Sequence, residues 1–346
     1  MSRRLLTGAL LLAACGGEAA SPAVDAPPVV TVAERWISPA DTAWDLDTPA
    51  RWSRGDSGVV LVTGKASHDL RVFDVRTGAA RAPIGRRGAG PGEFDRPNAV
   101  LVAGDLALVV ERDNHRVQVL RMPDATPTGS FGADVLVKPY GAVIEGTLPE
   151  LTIWVTDDYD VPADSTANLS RRVHRFVVRF DSLGAPSVVS HAAIGEQSGP
   201  GALAVVETIG FDPTRQRLLV ADEARKAYLV FDRDGHFLDR ALADGMITGD
   251  PEGMALVGCE GSPGYWIVTD QQPTVSWFRV FRRDDLAYVG SFRGERTANT
   301  DGVTFAAAPV PGFTGSAFFA VHDDQAVSAF DWATVRDALG LDPGCR

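Results

Sequence analysis

Six times along the chain a short apolar run stops on a polar or charged pair: Gly64-Lys65, Glu111-Arg112, Asp157-Asp158, Asp222-Glu223, Asp270-Gln271 and His322-Asp323. A few turn-forming or polar residues follow, and then a second β-rich run, as in Leu70-Arg71-Val72-Phe73, Val117-Gln118-Val119-Leu120, Tyr228-Leu229-Val230-Phe231 and Trp277-Phe278-Arg279-Val280-Phe281. Each unit reads as a hairpin, and its recurrence marks an internal repeat. The second members of the pairs lie 47, 46, 65, 48 and 52 residues apart, close to the length of a four-stranded propeller blade. The long third interval holds a polar insertion at 160–172 and a Gly/Pro-rich connection at 195–201. Helical periodicity is confined to 332–339, so the pattern predicts an all-β fold, a six-bladed β-propeller. A β-sandwich also accommodates regular strands and turns, but gives no reason for six equivalent polar strand ends. A closed ring needs a lock to hide its end sheets. The strand-forming run Val29-Val30-Thr31-Val32 is expected to supply the outer strand of the last blade.

In a radial arrangement the same strand end of every unit faces one mouth. The strand preceding each pair is expected to be innermost in its blade, with its entrance at that mouth. Those entrances carry Asp41, Asn98, Tyr140, Glu207, Glu252 and Asp301. Together the two rungs predict a funnel lined by Asp41, Asp158, Glu207, Glu223, Glu252, Asp301 and Asp323, with Lys65 and Arg112 on one side. Two like charges about 4 Å apart repel by roughly 4 kcal/mol at a surface-like dielectric, so these acids must protonate or hold cations. All-oxygen ligation selects hard ions, Ca2+ above all in a calcium-rich exterior, with Mg2+ or Mn2+ as alternatives. Lys65 and Arg112 would then offer hydrogen-bond donors to an oxyanion such as phosphate. Singly, acids at strand ends are commonly turn residues or solvated surface; the recurrence on two rungs is what distinguishes these.

The N-terminus stands apart from the repeat. Arg3-Arg4, an apolar run over 5–12 and then Leu12-Ala13-Ala14-Cys15 read as a bacterial lipoprotein signal, 1–15, with Cys15 as the lipidated residue. The apolar stretch is too short to span a bilayer of about 30 Å. Apart from Val24, residues 16–28 are Gly, Ala, Ser and Pro with two acids, a tether composition, and 29–346 are expected to form the propeller. This places the protein in a bacterial cell envelope, joined to the membrane through the anchor alone. Loss of Arg3 and Arg4 with the signal moves the net charge from -12 to -14, which removes any electrostatic case for nucleic acid. Cys259 and Cys345 remain, and they either pair in an oxidising compartment or stay as free thiols.

The C-terminal half resembles the β-propeller phytases, calcium-dependent phosphatases of inositol hexakisphosphate. The likeness is carried by Glu207-Thr208-Ile209-Gly210 with Val220-Ala221-Asp222-Glu223, Asp250-Pro251-Glu252-Gly253-Met254, Tyr288-Val289-Gly290-Ser291-Phe292, and Thr300-Asp301-Gly302-Val303 followed by Phe318-Phe319-Ala320-Val321. In the N-terminal half it rests on 41–44, Gly64-Lys65, Asn98-Ala99-Val100, Glu111-Arg112 and Tyr140-Gly141. The resemblance implies that Glu207, Glu223, Glu252 and Asp301, joined by Asp41, bind several calcium ions, with Glu207 and Glu252 at the catalytic centre. It also implies that Lys65, Arg112, Tyr140 and Gln271 face a phosphorylated small molecule, and that activated water attacks phosphorus directly. The chain departs from the family at Asp157-Asp158-Tyr159, where the family carries Gly-Lys-Glu. The segment 85–97, with Asp113-Asn114-His115-Arg116-Val117, resembles NHL-type propellers, many of which bind a ligand or a protein without catalysis. Lactonase-like propellers also place carboxylates and a calcium in the channel.

Three further signals carry less. Gly55-Asp56-Ser57-Gly58 looks like a serine-protease loop, but all six histidines follow it. Asp232-Arg233-Asp234-Gly235 begins like a calcium loop and lacks the later ligands. The histidines form no close pair in sequence, which disfavours zinc.

Overall fold

The computed structural model describes residues 27–160, 172–307 and 309–345. The signal, Cys15 and nearly all of the tether lie outside these residues, as does most of the 160–172 insertion. The repeat folds as six antiparallel sheets whose first strands neighbour one another in a closed ring. These inner strands are Leu46–Arg54, Pro97–Ala103, Pro139–Thr147, Val206–Asp212, Asp250–Val257 and Val303–Ala306. The molecule is thus an all-β, six-bladed propeller. One short helix, Trp332–Ala338, follows the last strand and is capped by the Asp331 side chain accepting from Ala333 N. The first blade is reduced to three strands, with isolated bridges at Ala80 and Ile84 in place of the fourth.

Alternation along each strand sends apolar side chains to both sheet faces, so the core lies between blades rather than at the axis. Each of six apolar clusters joins two adjacent blades. Between the fifth and sixth, Phe278 meets Phe292, Phe318 and Phe330 at 4.9 to 6.0 Å between ring centroids.

Closure differs from the expectation in which strand performs it. Val29–Thr31 lies parallel on Tyr288–Arg293, as a fifth strand of the fifth blade. The outer strand of the sixth is Trp36–Ile37, paired with Ala326–Asp331. An aromatic anchor decides this: the Trp36 ring sits 5.7 Å from Phe319, in the cluster shared by the sixth and first blades. Glu34 fixes the crossing by accepting from the amides of Arg296 and Thr297. At the other terminus a Cys259–Cys345 disulfide, 86 residues apart in sequence, ties the tail to the fifth blade.

The blades are also stitched at the mouth by side chains one residue before the strand-end pairs. Thr63 Oγ1 accepts from Thr48 N and donates to Asn98 O of the next blade. Thr156 Oγ1 accepts from Gly141 N and donates to Glu207 O at 2.7 Å. Thr269 occupies the same place in the fifth blade, but its buried hydroxyl has no partner; there Gly253 N donates directly to Asp301 O at 2.7 Å. We expect Thr156→Val to destabilise the protein by about 1–3 kcal/mol, because it strands a buried amide and carbonyl. Thr269→Val should be neutral or stabilising, and urea unfolding of the two variants side by side checks the contrast.

Candidate metal centre at the channel mouth

Five inner strands slip register with their neighbours at the entrance: between Leu46 and Pro49, Pro97 and Ala99, Pro139 and Ala142, Val206 and Ile209, and Pro251 and Met254. A bulge leaves residues out of the ladder and re-aims their side chains. The residues so released begin with Asp47, Asn98, Tyr140, Glu207 and Glu252; Asp301 stands just ahead of the sixth inner strand. The next residue is small each time: Thr48, Ala99, Gly141, Thr208, Gly253 or Gly302. A Cβ on Gly141 would lie 2.6 Å from Glu207 O, and one on Gly302 would lie 2.4 Å from Asp47 O. Neighbouring entrances therefore touch backbone to backbone. They enclose a cavity of about 30 Å3 walled by Asp47, Tyr140, Glu207, Glu252 and Asp301, the scale of a single water or ion.

The strand-end pairs separate into two functions. Apart from Gly64, their first members are latches that hold the loop entering the inner strand. Asp157 accepts from Val137 N and Lys138 N, Asp222 from Ala204 N, and Asp270 from Thr248 N and Gly249 N. Glu111 accepts from Asp95 N, and His322 Nδ1 from Ala298 N. Arg116 and Arg279 compensate the buried Glu111 and Asp270 at 2.7 and 2.6 Å. With entrance loops held this way, the second members and the bulge residues are left to form the mouth.

On one side of the cavity Glu207, Glu223 and Glu252 offer carboxylate oxygens all within 4.8 Å of one another. Glu207 and Glu252 are buried, and Glu223 is half-buried at the start of a 3-10 turn. Burial pushes the Glu207 carboxyl well above its ordinary value, and Glu223 and Asp47 add repulsion. Glu252 is raised in the same way, by burial and then by Glu207 and Asp301. Tyr140 stands with Glu207 in the cavity wall, and Glu207 Oε2 is buried without a partner. Asn98 has both side-chain amide atoms buried without partners. Three converging anionic oxygens, one with an unmet bonding capacity, fit a hard divalent cation.

On the other side Lys65 Nζ lies 2.6 Å from Asp301 Oδ2, 3.4 Å from Asp47 Oδ2 and 3.5 Å from Asp45 Oδ1. Gln271 Nε2 donates to Asp301 Oδ1 at 2.5 Å. Burial lifts Asp47 to about 6, opposed by Lys65. Asp324 is lifted to about 7 by burial and by Asp301. Burial disfavours the Lys65 ammonium, yet Asp47, Asp301 and Asp45 together hold its pKa above the ordinary value.

The mouth differs from the expected funnel at several positions. Asp41 is exposed, and its carboxylate accepts from Ala43 N in a turn. The first-blade acid at the cavity is Asp47, which belongs to the bulge, whereas Asp41 precedes it by a whole loop. Arg112 bonds its neighbour Asp113 at 2.7 Å and stays half-exposed outside the cavity wall. Lys65 does reach the mouth, but carboxylates surround its ammonium. Asp158 accepts from Val206 N and helps raise Glu207, while Asp323 is exposed and accepts from Gln325. Asp45, Asp47 and Asp324 went unforeseen. Asp47 had a readable signal, since Leu46-Asp47-Thr48-Pro49 matches Val206-Glu207-Thr208-Ile209 in its apolar, acidic, small, apolar order.

No family model matches the chain, and no curated protein does. Among solved structures it is similar to regucalcin from Agrobacterium tumefaciens, described as a calcium-binding protein: TM-score 0.51, 10% identity, covering 86% of this chain and 95% of that one. It is also similar to a chain of the nidogen/laminin complex: TM-score 0.51, 14% identity, covering 76% and 85%. At such identities the likeness is one of fold, a propeller of this general architecture.

Raised carboxyls set the pH response of the cation-free protein. Between the ordinary value and the raised native value, the native state holds more protons than the unfolded chain, so stability falls as pH rises. In EDTA the melting temperature should drop from about pH 5 to about pH 8, a window spanning the Asp47 and Asp324 values of about 6 and about 7. Calcium should remove the share of that drop that comes from Glu207, Glu223 and Glu252. Differential scanning fluorimetry with and without calcium reads both, and a rising apo curve would contradict the arrangement.

Proposed function

We propose that the protein is a calcium-dependent hydrolase of a small ester, anchored by lipid at Cys15 in a bacterial envelope, with its chemistry at the channel mouth. The observation that carries this reading is the convergence of Glu207, Glu223 and Glu252 within 4.8 Å around the unpartnered Glu207 Oε2. When bound, a divalent cation supplies Lewis-acid polarisation and a lowered pKa for water. Glu207 and Glu223 would hold it, with Tyr140 beside the Glu207 carboxyl in the cavity wall. Glu252, raised by burial and acidic neighbours, is suited to accept a proton from attacking water. Asp301 is a fixed charge across the cavity, both of its oxygens being engaged by Lys65 and Gln271. The calcium-binding description of the regucalcin neighbour supports the choice of ion.

A phosphomonoester, phytate or a related molecule, is the substrate class that the sequence resemblance implies. A carboxylic ester or lactone is a second reading, favoured by the engagement of Lys65 with Asp301, Asp47 and Asp45. That contact withdraws the buried cation a phosphate would need, and Arg112 stands outside the cavity wall. Assays of phytate, 4-nitrophenyl phosphate, 4-nitrophenyl acetate and simple lactones, with calcium and with EDTA, separate the readings. Turnover only with calcium is expected, and Glu252→Gln should lower kcat/KM by roughly 100-fold or more while the protein stays folded. No calcium-dependent turnover on any of them would leave a ligand-binding propeller of the NHL kind.

A further inference from the structure

Beneath the glutamate centre the ring encloses a second, larger space. Each inner strand has a hydrogen-bonded neighbour on one side only, so its free edge and the side chains beyond the mouth residues line the channel. Thr48, Ala142, Thr208 and Val303 belong to the walls of both the small cavity and this one, whose volume is about 480 Å3. That is within the range of sites for small ligands. Leu101, Val143, Leu256 and Phe305 stand half-buried on its wall, and among the described residues Arg51 is the one charged group there. Three residues of strand separate Thr48 from Arg51, about 10 Å at the usual rise. The channel thus runs from acids at one end to a single cation at the other.

Arg51 has no counter-ion among the described residues. Its terminal nitrogens donate to the neutral carbonyls of Ala307, at 3.4 Å, and Pro309, at 3.1 Å. Its Nε is buried without a partner. Burial lowers its pKa, and no acid acts to raise it. By contrast Arg54, three residues further along the same strand, meets Asp105 at 2.5 Å. A guanidinium presents five N–H donors in a planar fork, and an oxyanion is the partner that such a fork engages best. A cation of this kind in an otherwise uncharged wall calls for one negative charge, and the volume calls for a body behind it.

We propose that the Arg51 end of the channel binds a small monocarboxylate, with the carboxylate on the guanidinium and an uncharged body lying along Leu101, Val143, Leu256 and Phe305 towards Thr208. A second negative charge on the ligand would find no basic partner on this wall. The site is separate from the glutamate centre, and the proposal stands whether or not that centre hydrolyses an ester.

Octanoate, whose chain suits a channel about 10 Å deep, is the probe. Calorimetric titration of the full chain in EDTA, which keeps calcium from drawing a carboxylate to the glutamate centre, should give one octanoate per chain. Octanol and octylamine should bind at least about tenfold more weakly, as loss of a hydrogen-bonded charge pair predicts. Arg51→Gln should weaken octanoate by a similar factor and leave octanol unchanged, whereas Leu256→Trp, which fills the channel, should weaken both. If Arg51→Gln fails to fold, the comparison of octanoate with octanol on the wild type and on Leu256→Trp still decides. No octanoate binding, equal affinity for octanol, or affinity untouched by either substitution overturns the proposal. Octanoate binding that appears only when calcium is added overturns the Arg51 site and assigns the carboxylate to the glutamate centre.

Discussion

Backbone contact around the mouth is the constraint from which the chemistry follows. The inner strands meet through Gly141, Gly253 and Gly302, where even a methyl group would collide with the neighbouring blade. Thr156 Oγ1 and Gly253 N add hydrogen bonds to Glu207 O and Asp301 O across the seams. The ring cannot widen without losing those bonds, so the side chains released by the bulges cannot retreat from one another. Buried acids held at this distance have two forms of relief, a proton or a cation. Among the described residues neither Glu207 nor Glu252 forms an ion pair with a lysine or arginine, whereas Asp301 has Lys65. The mouth is accordingly asymmetric, with an internal cation on one side and none on the other.

The recurring strand-end acids look alike in sequence and act differently in space. Asp157, Asp222 and Asp270 are fully buried, yet their oxygens are spent on the amides of the loops ahead of Tyr140, Glu207 and Glu252. They determine where the mouth residues stand and do not enter the mouth. Asp157 is additionally flanked by His174 Nε2 at 3.3 Å, itself bonded to His191, so a histidine pair that is invisible in sequence serves this latch. A carboxylate repeated at strand ends is thus the signature of a repeated loop closure. The neighbouring residue carries what differs between blades: Lys65, Arg112, Asp158, Glu223, Gln271 and Asp323.

Legibility in the sequence followed locality. Strand ends, turns and the period of the blades depend on residues a few positions apart, and the six-bladed ring was readable from them. Glu207, Glu223, Glu252 and Asp301 were placed at one mouth because the resemblance and the period agreed. Asp41 is a turn acid and Asp47 the bulge acid: the order Leu46-Asp47-Thr48-Pro49 matches that around Glu207, and register with Ser57–Gly64 settles which of the two enters the mouth. The closing strand was misplaced for a similar reason: β-propensity favoured Val-Val-Thr-Val, while burial of the single Trp36 ring decided which pair of residues closes the sixth blade. The engagement of Lys65 was not readable, because it joins the first blade to the sixth across 236 positions.

Solved propellers similar in fold to this one include a protein described as calcium-binding and a chain of a nidogen/laminin complex. Function resides in the site and not in the ring. What this chain places there is a set of carboxylates too close to remain uncompensated, divided by one lysine. The charge pattern of the mouth is therefore divided: on one side the acids are paired with Lys65, and on the other Glu207 and Glu252 have no basic partner among the described residues. A ligand that enters has to suit that division, since among the described residues the wall of the small cavity carries acids and a tyrosine but no lysine or arginine.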